Sequence, residues 1–438
     1  MSDLTAARAQ MAVSLGFHIL FAVAGMAMPL LMVIAEALWL RTRKPAYLEL
    51  AKRWAKGTSI LFAVGAVSGT VLSFELGLLW PKFMAHAGAV IGMPFSLEGF
   101  AFFLEAIFLG IYLYGWERVP PRAHFLAGAA VLVSGTLSGL FVVTANAWMN
   151  APAGFTLVDG KFTDIRPFAA MLNEASGPQC LHMILAAFLS VAAVVAAIHA
   201  ALLLKKPNDA FHRAAYGIAL AVAIPTALLQ PLAGDWAARS VARRQPLKLA
   251  AMEGQWETER GAPLRIGGLP DEAAETTPWA LEIPKALSFL ATRDPNAEIT
   301  GLKSAPKADR PPVRVVHLAF QLMIACGTAL ALAALLGLAL WWKDGGPPLR
   351  RPYLKLVAFC GPLGLVALEA GWTVTEVGRQ PWIIYRIMRT SEALTSMPGL
   401  VVPLAVTILV YVLLGFTAGW LLWRMVFETA GRRGSHVA

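Results

Sequence analysis

The chain has 438 residues, of which 57% are hydrophobic and only 15% charged, and its mean hydropathy is +0.61. That composition excludes an ordinary soluble globule and indicates an all-α integral membrane protein. The net charge of +10 sits in short loops rather than on a basic soluble face, which excludes nucleic acid as a partner.

Nine apolar runs are each about 20 residues or longer, enough to cross a ~30 Å hydrocarbon core as helices. They lie near 11–40, 57–80, 95–116, 125–148, 178–204, 214–236, 313–342, 353–378 and 399–427. The first is too long for a signal-peptide core and lacks a small-residue cleavage site, so it is read as retained. It carries His18 about seven residues from its start.

Basic residues then mark alternate loops. Arg41, Arg43, Lys44, Lys52, Arg53 and Lys56 follow the first run, and Arg118 and Arg122 the third. Lys205, Lys206 and Arg213 follow the fifth, and Lys343, Arg350, Arg351 and Lys355 the seventh. By the positive-inside rule these loops face the cytoplasm, with the N-terminus outside and Arg432 and Arg433 inside.

The third run carries Glu98 and Glu105, seven residues apart and therefore on one helical face, about 10 Å apart along the axis. Paired acids in an apolar helix read as a proton relay. The fifth run carries His182 about four residues in, and the seventh Met323 about ten residues in. A lone membrane histidine is more often a hydrogen-bonded core residue, and one methionine among fifteen is more often packing. Spacing alone does not single out Met323. Glu75 and Asp235, near outer span ends, receive no role.

One long non-membrane segment, 237–312, separates the sixth run from the seventh on the outer side. It exceeds the usual length of a structureless loop and is therefore expected to be functional. The chain divides accordingly into 1–236, 237–312 and 313–438. In the eighth run Glu369 and Glu376 interrupt the apolar pattern before Gly378 and Pro381 stop the helix. Glu376 thus falls at the negative end of the helix dipole, where it requires a positive partner, either Arg379 or a metal ion. Arg379, Arg386 and Arg389 lie in an external loop against the positive-inside rule, which calls for anionic partners such as cofactor carboxylates. Cys180, Cys326 and Cys360 form no C-x-x-C or C-x-x-C-H pattern, so iron–sulfur clusters and covalent haem are unsupported.

The string GWTVTEVGRQPW, Gly371 to Trp382, resembles the signature of subunit I of cytochrome bd-type quinol oxidases. The similarity continues in GFHILF at His18, LEGFAFFLEA at Leu97 to Ala106, ANAWMN at Asn146, KLAAMEGQWET at Lys248 to Thr258 and FQLMIACG at Met323. The resemblance implies two four-helix bundles plus a peripheral ninth helix. A second membrane subunit is the implied partner, with a small single-helix subunit as a further one.

The resemblance also implies site residues. His182 and Met323 become axial ligands of a low-spin haem b, and two strong ligands leave such an iron only electron transfer. His18 and Glu376 become ligands of two high-spin haems, undivided between them, for a complement of two haem b and one haem d. Trp372 would lie between haems, and Arg379 and Arg8 would meet propionates. Lys248 and Glu253 match residues linked to quinol oxidation, where a carboxylate is suited to take a hydroxyl proton. Glu98 and Glu105 match the proton route to the oxygen site. The implied activity is oxidation of quinol outside a bacterial plasma membrane, with O2 reduced to water by protons from the cytoplasm.

Two features depart from much of the family. Gln321 stands where many members have Arg, and the external loop is short. Both resemble the cyanide-insensitive subgroup, which leaves the third haem open between d and b. From its position two residues before Met323, Gln321 is expected to approach a haem edge or propionate. Two other classes would account for intramembrane acids or haem. A transporter predicts inverted repeats with polar residues near the midplane, and a dihaem anchor needs paired His ligands on facing helices.

Overall fold

The computed structural model describes residues 1–427. Arg432, Arg433 and His436 lie outside the described residues, and so does the expected siting of the C-terminus. Among the described residues nine helices are long and apolar enough to cross a membrane. They are α1 (Asp3–Thr42), α2 (Pro45–Leu79), α3 (Pro81–Tyr114), α4 (Pro121–Asn150), α6 (Ser176–Lys205), α7 (Ala210–Arg244), α10 (Val313–Asp344), α11 (Arg351–Val377) and α13 (Val401–Leu422). Short helices α5 (Pro167–Met171), α8 (Pro246–Glu253), α9 (Ala286–Thr292) and α12 (Thr390–Ala393) lie in the connections.

Local chemistry sets the boundaries. Proline occupies the first turn of α2, α3, α4, α8 and α11, where its missing N–H costs nothing. The Asp209 carboxylate caps α7 through the His212 amide at 3.0 Å, supplying the acceptor that a helix start lacks. Asp3 fastens a distant segment: its Oδ1 accepts the amides of Gly399 at 3.1 Å and Leu400 at 2.9 Å, the two residues before α13.

Helix α1 packs on α2 and α4, and α3 packs on α4 and α2. In a second group α6 packs on α7 and α11, and α10 packs on α11 and α7. Helix α6 meets α1 and α4 between the groups, and α13 rests on α1 and α2. The apolar core runs continuously through both groups, from Leu31 and Leu50 to Tyr216 and Leu354. One end of the stack carries the short basic connectors, tied together where the Tyr216 hydroxyl donates to the Pro348 carbonyl at 3.2 Å. The opposite end carries the long connections, where Gln245 Nε2 donates to the Asn150 carbonyl at 2.7 Å. These are called the connector end and the loop end.

The helix expected to stop at 236 continues to Arg244, so the long connection is 245–312. It is folded rather than structureless. Strand β3 (Glu259–Arg260) pairs with β6 (Glu298–Ile299), and β4 (Leu264–Gly267) with β5 (Ala280–Ile283), both antiparallel. Leu249, Ala262, Leu287 and Ile299 form its small core. Two further hairpins, β1 (Thr156–Val158) with β2 (Lys161–Thr163) and β7 (Trp382–Ile384) with β8 (Met388–Arg389), complete the loop end.

Candidate functional site

His182, on α6, faces α7. A Cβ added at Gly234 would come within 3.4 Å of its ring, and Gln230 Nε2 lies 3.2 Å from its Nδ1. The Gln230 Oε1 is buried without a partner. The same Nε2 donates to the His182 carbonyl at 3.2 Å, so Gln230 fixes this turn of α6 and the ring together. Met323, on α10, nestles against Gly371 of α11, where a Cβ would come to 3.0 Å from the thioether sulfur. Both side chains sit beside glycines that keep the space around them open.

His18 has its tautomer set by one neighbour. The Ser68 hydroxyl spends its proton on the Val64 carbonyl at 2.9 Å, so it accepts from His18 Nδ1–H at 3.0 Å. Nε2 is left unprotonated and available to a metal. Glu369 of α11 approaches another face of α1: its Oε2 lies 3.4 Å from where a Gly16 Cβ would be, and its Oε1 is buried without a partner. Gly16 is thus small where an acid from another helix approaches. Glu369 was not read as a site residue from sequence, although its seven-residue spacing from Glu376 repeats that of Glu98 and Glu105.

Glu376 is bracketed by donors. Asn146 Nδ2 donates to Oε1 and Arg379 Nη2 donates to Oε2, the latter at 2.8 Å. The ion pair open from sequence is therefore present, and it does not exhaust Arg379. That guanidinium is 3% exposed, with Nε and Nη1 lacking partners. Beside it lies a cavity of about 130 Å³ lined by Lys248, Arg379, Gln380, Tyr385 and Arg386, with Asp309 at its edge. Unmatched buried donors in a cationic cavity fit an anionic group such as a haem propionate. Trp372 packs against the core on the same helix. Arg8 is exposed and has no polar partner among the described residues.

Lys248 and Glu253, grouped from sequence, point to different neighbours. The Lys248 amine donates to Asn150 Oδ1 at 3.3 Å and to the Thr375 carbonyl at 3.1 Å, next to Glu376. Gly378 permits this, since a Cβ there would sit 2.9 Å from Lys248 Cε. Burial, reinforced by Arg379 and opposed by Glu376, brings the amine down to about 7. Glu253 closes α8 before Gly254, whose left-handed φ of 62° ends the helix. Its Oε2 is buried without a partner. Burial raises the carboxyl to about 8 against the opposing pull of Arg265, a cation already paired with Glu282 at 2.9 Å.

The Gln321 amide, expected to approach a haem edge or propionate, is engaged by the loop. Its Oε1 accepts the Gly267 amide at 3.0 Å and its Nε2 donates to the Arg265 carbonyl at 2.9 Å. Both polar ends are consumed by strand β4, so the side chain is a clamp between α10 and the loop. His317 strengthens it, with ring nitrogens 2.9 Å from the carbonyls of Met252 and Gly267.

Glu98 and Glu105 lie along the α3–α4 contact. The Ser138 hydroxyl donates to Glu98 Oε1 at 3.3 Å. Glu105, 5% exposed, fills a notch at Gly135, where a Cβ would come to 3.0 Å from its carboxyl group. Gly25 of α1 flanks the same carboxyl.

Comparison with known proteins gives a consistent result. The family model for cytochrome bd terminal oxidase subunit I matches residues 6–430. A Bacillus subtilis (strain 168) subunit I named for menaquinol is 36% identical over 421 residues, spanning 95% of this chain and 94% of that one. Cytochrome bd ubiquinol oxidase subunit 1 of the same organism is 32% identical over 410 residues, spanning 90% and 86%. The structure of bd oxidase from Geobacillus thermodenitrificans is similar with a TM-score of 0.90 and 37% identity, over 97% of this chain and 98% of that one.

Proposed function

Because this chain belongs to the cytochrome bd terminal oxidase subunit I family, we propose that it is the haem-bearing subunit of a respiratory enzyme that oxidises quinol and reduces O2 to water. Bound haem would supply the one-electron carriers and the iron at which O2 is reduced. His182 and Met323 hold the low-spin haem b. His18 and Glu376 hold the two high-spin haems, one of them b and the other d or b. Arg379 would bind a propionate with the two nitrogens that Glu376 leaves free, Arg8 would take another, and Trp372 would pack between haems.

The residues of the loop and of α3 divide the proton work. Glu253 accepts a quinol hydroxyl proton and releases it at the loop end, while Lys248 orients the site against the end of α11. Glu105 and Glu98 carry protons from the opposite end toward O2. With the basic connectors in the cytoplasm and the N-terminus outside a bacterial plasma membrane, the two proton movements together build a gradient. The partners are a second membrane subunit and a small single-helix one.

The observation that most supports this reading is the buried Arg379 guanidinium, with two nitrogens unmatched beside a cationic cavity. A reduced-minus-oxidised visible spectrum of membranes containing the assembled enzyme tests it, together with quinol-dependent O2 consumption. Low-spin and high-spin haem bands are expected, with oxygen uptake driven by quinol. Membranes in which the purified chain carries no haem would overturn the proposal.

A further inference from the structure

Beyond Glu105, the column along the α3–α4 contact continues toward the connector end past the buried apolar side chains of Leu109 and Val131. Tyr112 lies seven residues after Glu105 on α3, which repeats the Glu98 to Glu105 spacing and keeps all three on one face. Helix α4 answers in register. Ser138 meets Glu98, Gly135 makes room for Glu105, and Gly128 makes room for Tyr112, where a Cβ would strike the ring at 2.7 Å. His124, one turn further, completes the same α4 face.

At the bottom of this column three fully buried groups meet. His124 is 2% exposed, Glu36 of α1 1% and Tyr112 0%. His124 Nε2 lies 2.9 Å from the Tyr112 carbonyl, which can only accept, so Nε2 carries a hydrogen. His124 Nδ1 lies 2.8 Å from Glu36 Oε1. Between these two atoms there is place for one proton, resting on the carboxyl or on the imidazole. The Tyr112 hydroxyl faces Glu36, whose Oε2 has no partner within hydrogen-bond distance. Trp116 covers the His124 ring with centroids 3.9 Å apart, and the exposed Lys52 lies over Trp116 at 5.3 Å.

We propose that Glu36, His124 and Tyr112 form a proton-loading station at the connector end, which feeds Glu105 and then Glu98; the proposal rests on reading those two acids as a relay. The Tyr112 hydroxyl and Glu36 Oε2 turn to each other and neither has another partner, so a proton has a place to pass between them. The transferred species is a proton alone. Glu36 gives it up from Oε2 to the Tyr112 hydroxyl, which releases its own proton onward, and Glu36 regains one from His124 Nδ1, which water at the connector end reprotonates, with no electron moved and no heavy-atom bond broken. From Tyr112 to Glu105 the rise is about 10 Å, past the buried Leu109 and Val131, so this step requires water to enter between α3 and α4 during turnover.

The test uses the whole oxidase, with Glu36→Gln, Tyr112→Phe and Glu105→Gln studied side by side. Glu36→Gln is expected to lower the kcat of O2 reduction by about tenfold or more. The quinol KM and the haem spectrum should match the wild type, and proton uptake should slow when the fully reduced enzyme reacts with O2. Tyr112→Phe, which keeps the ring in the Gly128 notch, should slow the same uptake. If Glu105→Gln is slow while Glu36→Gln and Tyr112→Phe turn over normally, the loading station is wrong and the relay stands. If all three keep the wild-type rate, the relay itself is wrong. Should Glu36→Gln assemble without haem, Tyr112→Phe decides alone, and normal proton uptake in it overturns the station.

Discussion

Glu253 and Glu105 are both buried acids, and they are held in opposite ways. Glu253 lies where a folded loop meets α10, and its surroundings are fixed by polar clamps: Gln321 and His317 on loop backbone, and Arg265 paired with Glu282. Glu105 lies between spanning helices, and what admits it is the lack of side chains at Gly135 and Gly25. The contrast teaches that the first acid is vulnerable to loss of hydrogen bonds and the second to added methyl groups.

The strongest way to break this contrast is Gly135→Val. A Cβ there already stands 3.0 Å from the Glu105 carboxyl group, so branching displaces the acid. O2 reduction should fall on the order of 100-fold, read as kcat with an artificial donor. A wild-type rate would mean that room is not what holds Glu105.

Next in size is Glu253→Gln. Quinol-driven turnover should drop by about tenfold or more while an artificial donor still reduces the haems; equal loss with both donors would remove Glu253 from the quinol site. With its carboxyl raised to about 8, the base form gathers as pH rises toward 8. The quinol kcat/KM should therefore climb over that range in the wild type and stay flat in the Gln variant.

The same shifts predict how tightly the loop is held. Between the ordinary carboxyl value of 4.5 and about 8, the folded Glu253 keeps a proton that the opened loop releases, so closure weakens as pH rises. Between about 7 and the ordinary 10.5, the opened loop keeps a proton that folded Lys248 has lost, so closure strengthens as pH rises. Hydrogen exchange in 245–312, corrected for its intrinsic pH dependence, should show easiest opening near pH 7 to 8. A monotonic profile would contradict one of the two assignments.

Two smaller effects sharpen the comparison. Gln321→Ala strands the Gly267 amide and the Arg265 carbonyl, at a cost of roughly 1–3 kcal/mol in loop closure. Quinol KM should rise several-fold, and the low-spin haem midpoint should not move; a shifted midpoint with unchanged KM would return Gln321 to the haem. Ser138→Ala removes one 3.3 Å hydrogen bond to Glu98 and should slow O2 reduction by about twofold.

Much of this was legible because it is periodic or local. Hydropathy located the spanning helices, a seven-residue spacing put Glu98 and Glu105 on one face, and the three-residue spacing of Glu376 and Arg379 allowed their 2.8 Å ion pair. The unread features are contacts across sequence. Asn146 reaches Glu376 over 230 residues, and Gln230 reaches His182 from a neighbouring helix. Lys248 and Glu253 share an eight-residue helix, yet five positions along it turn one toward Thr375 and the other away. The loop contacts of Gln321 were not legible, because the strand that captures its amide has no sequence signal of its own.

The Asp3 carboxylate that holds the two residues before α13 acts across 396 residues of chain. During synthesis, the amides of Gly399 and Leu400 meet their acceptor only after almost every other helix described here has been made and threaded. Until then the residues before α13 are held on the α2 side alone, by the Thr395 amide on the Leu79 carbonyl at 3.0 Å. The clasp is thus a late event in biogenesis, and a label attached beside Asp3 is expected to disturb the last helix rather than the first.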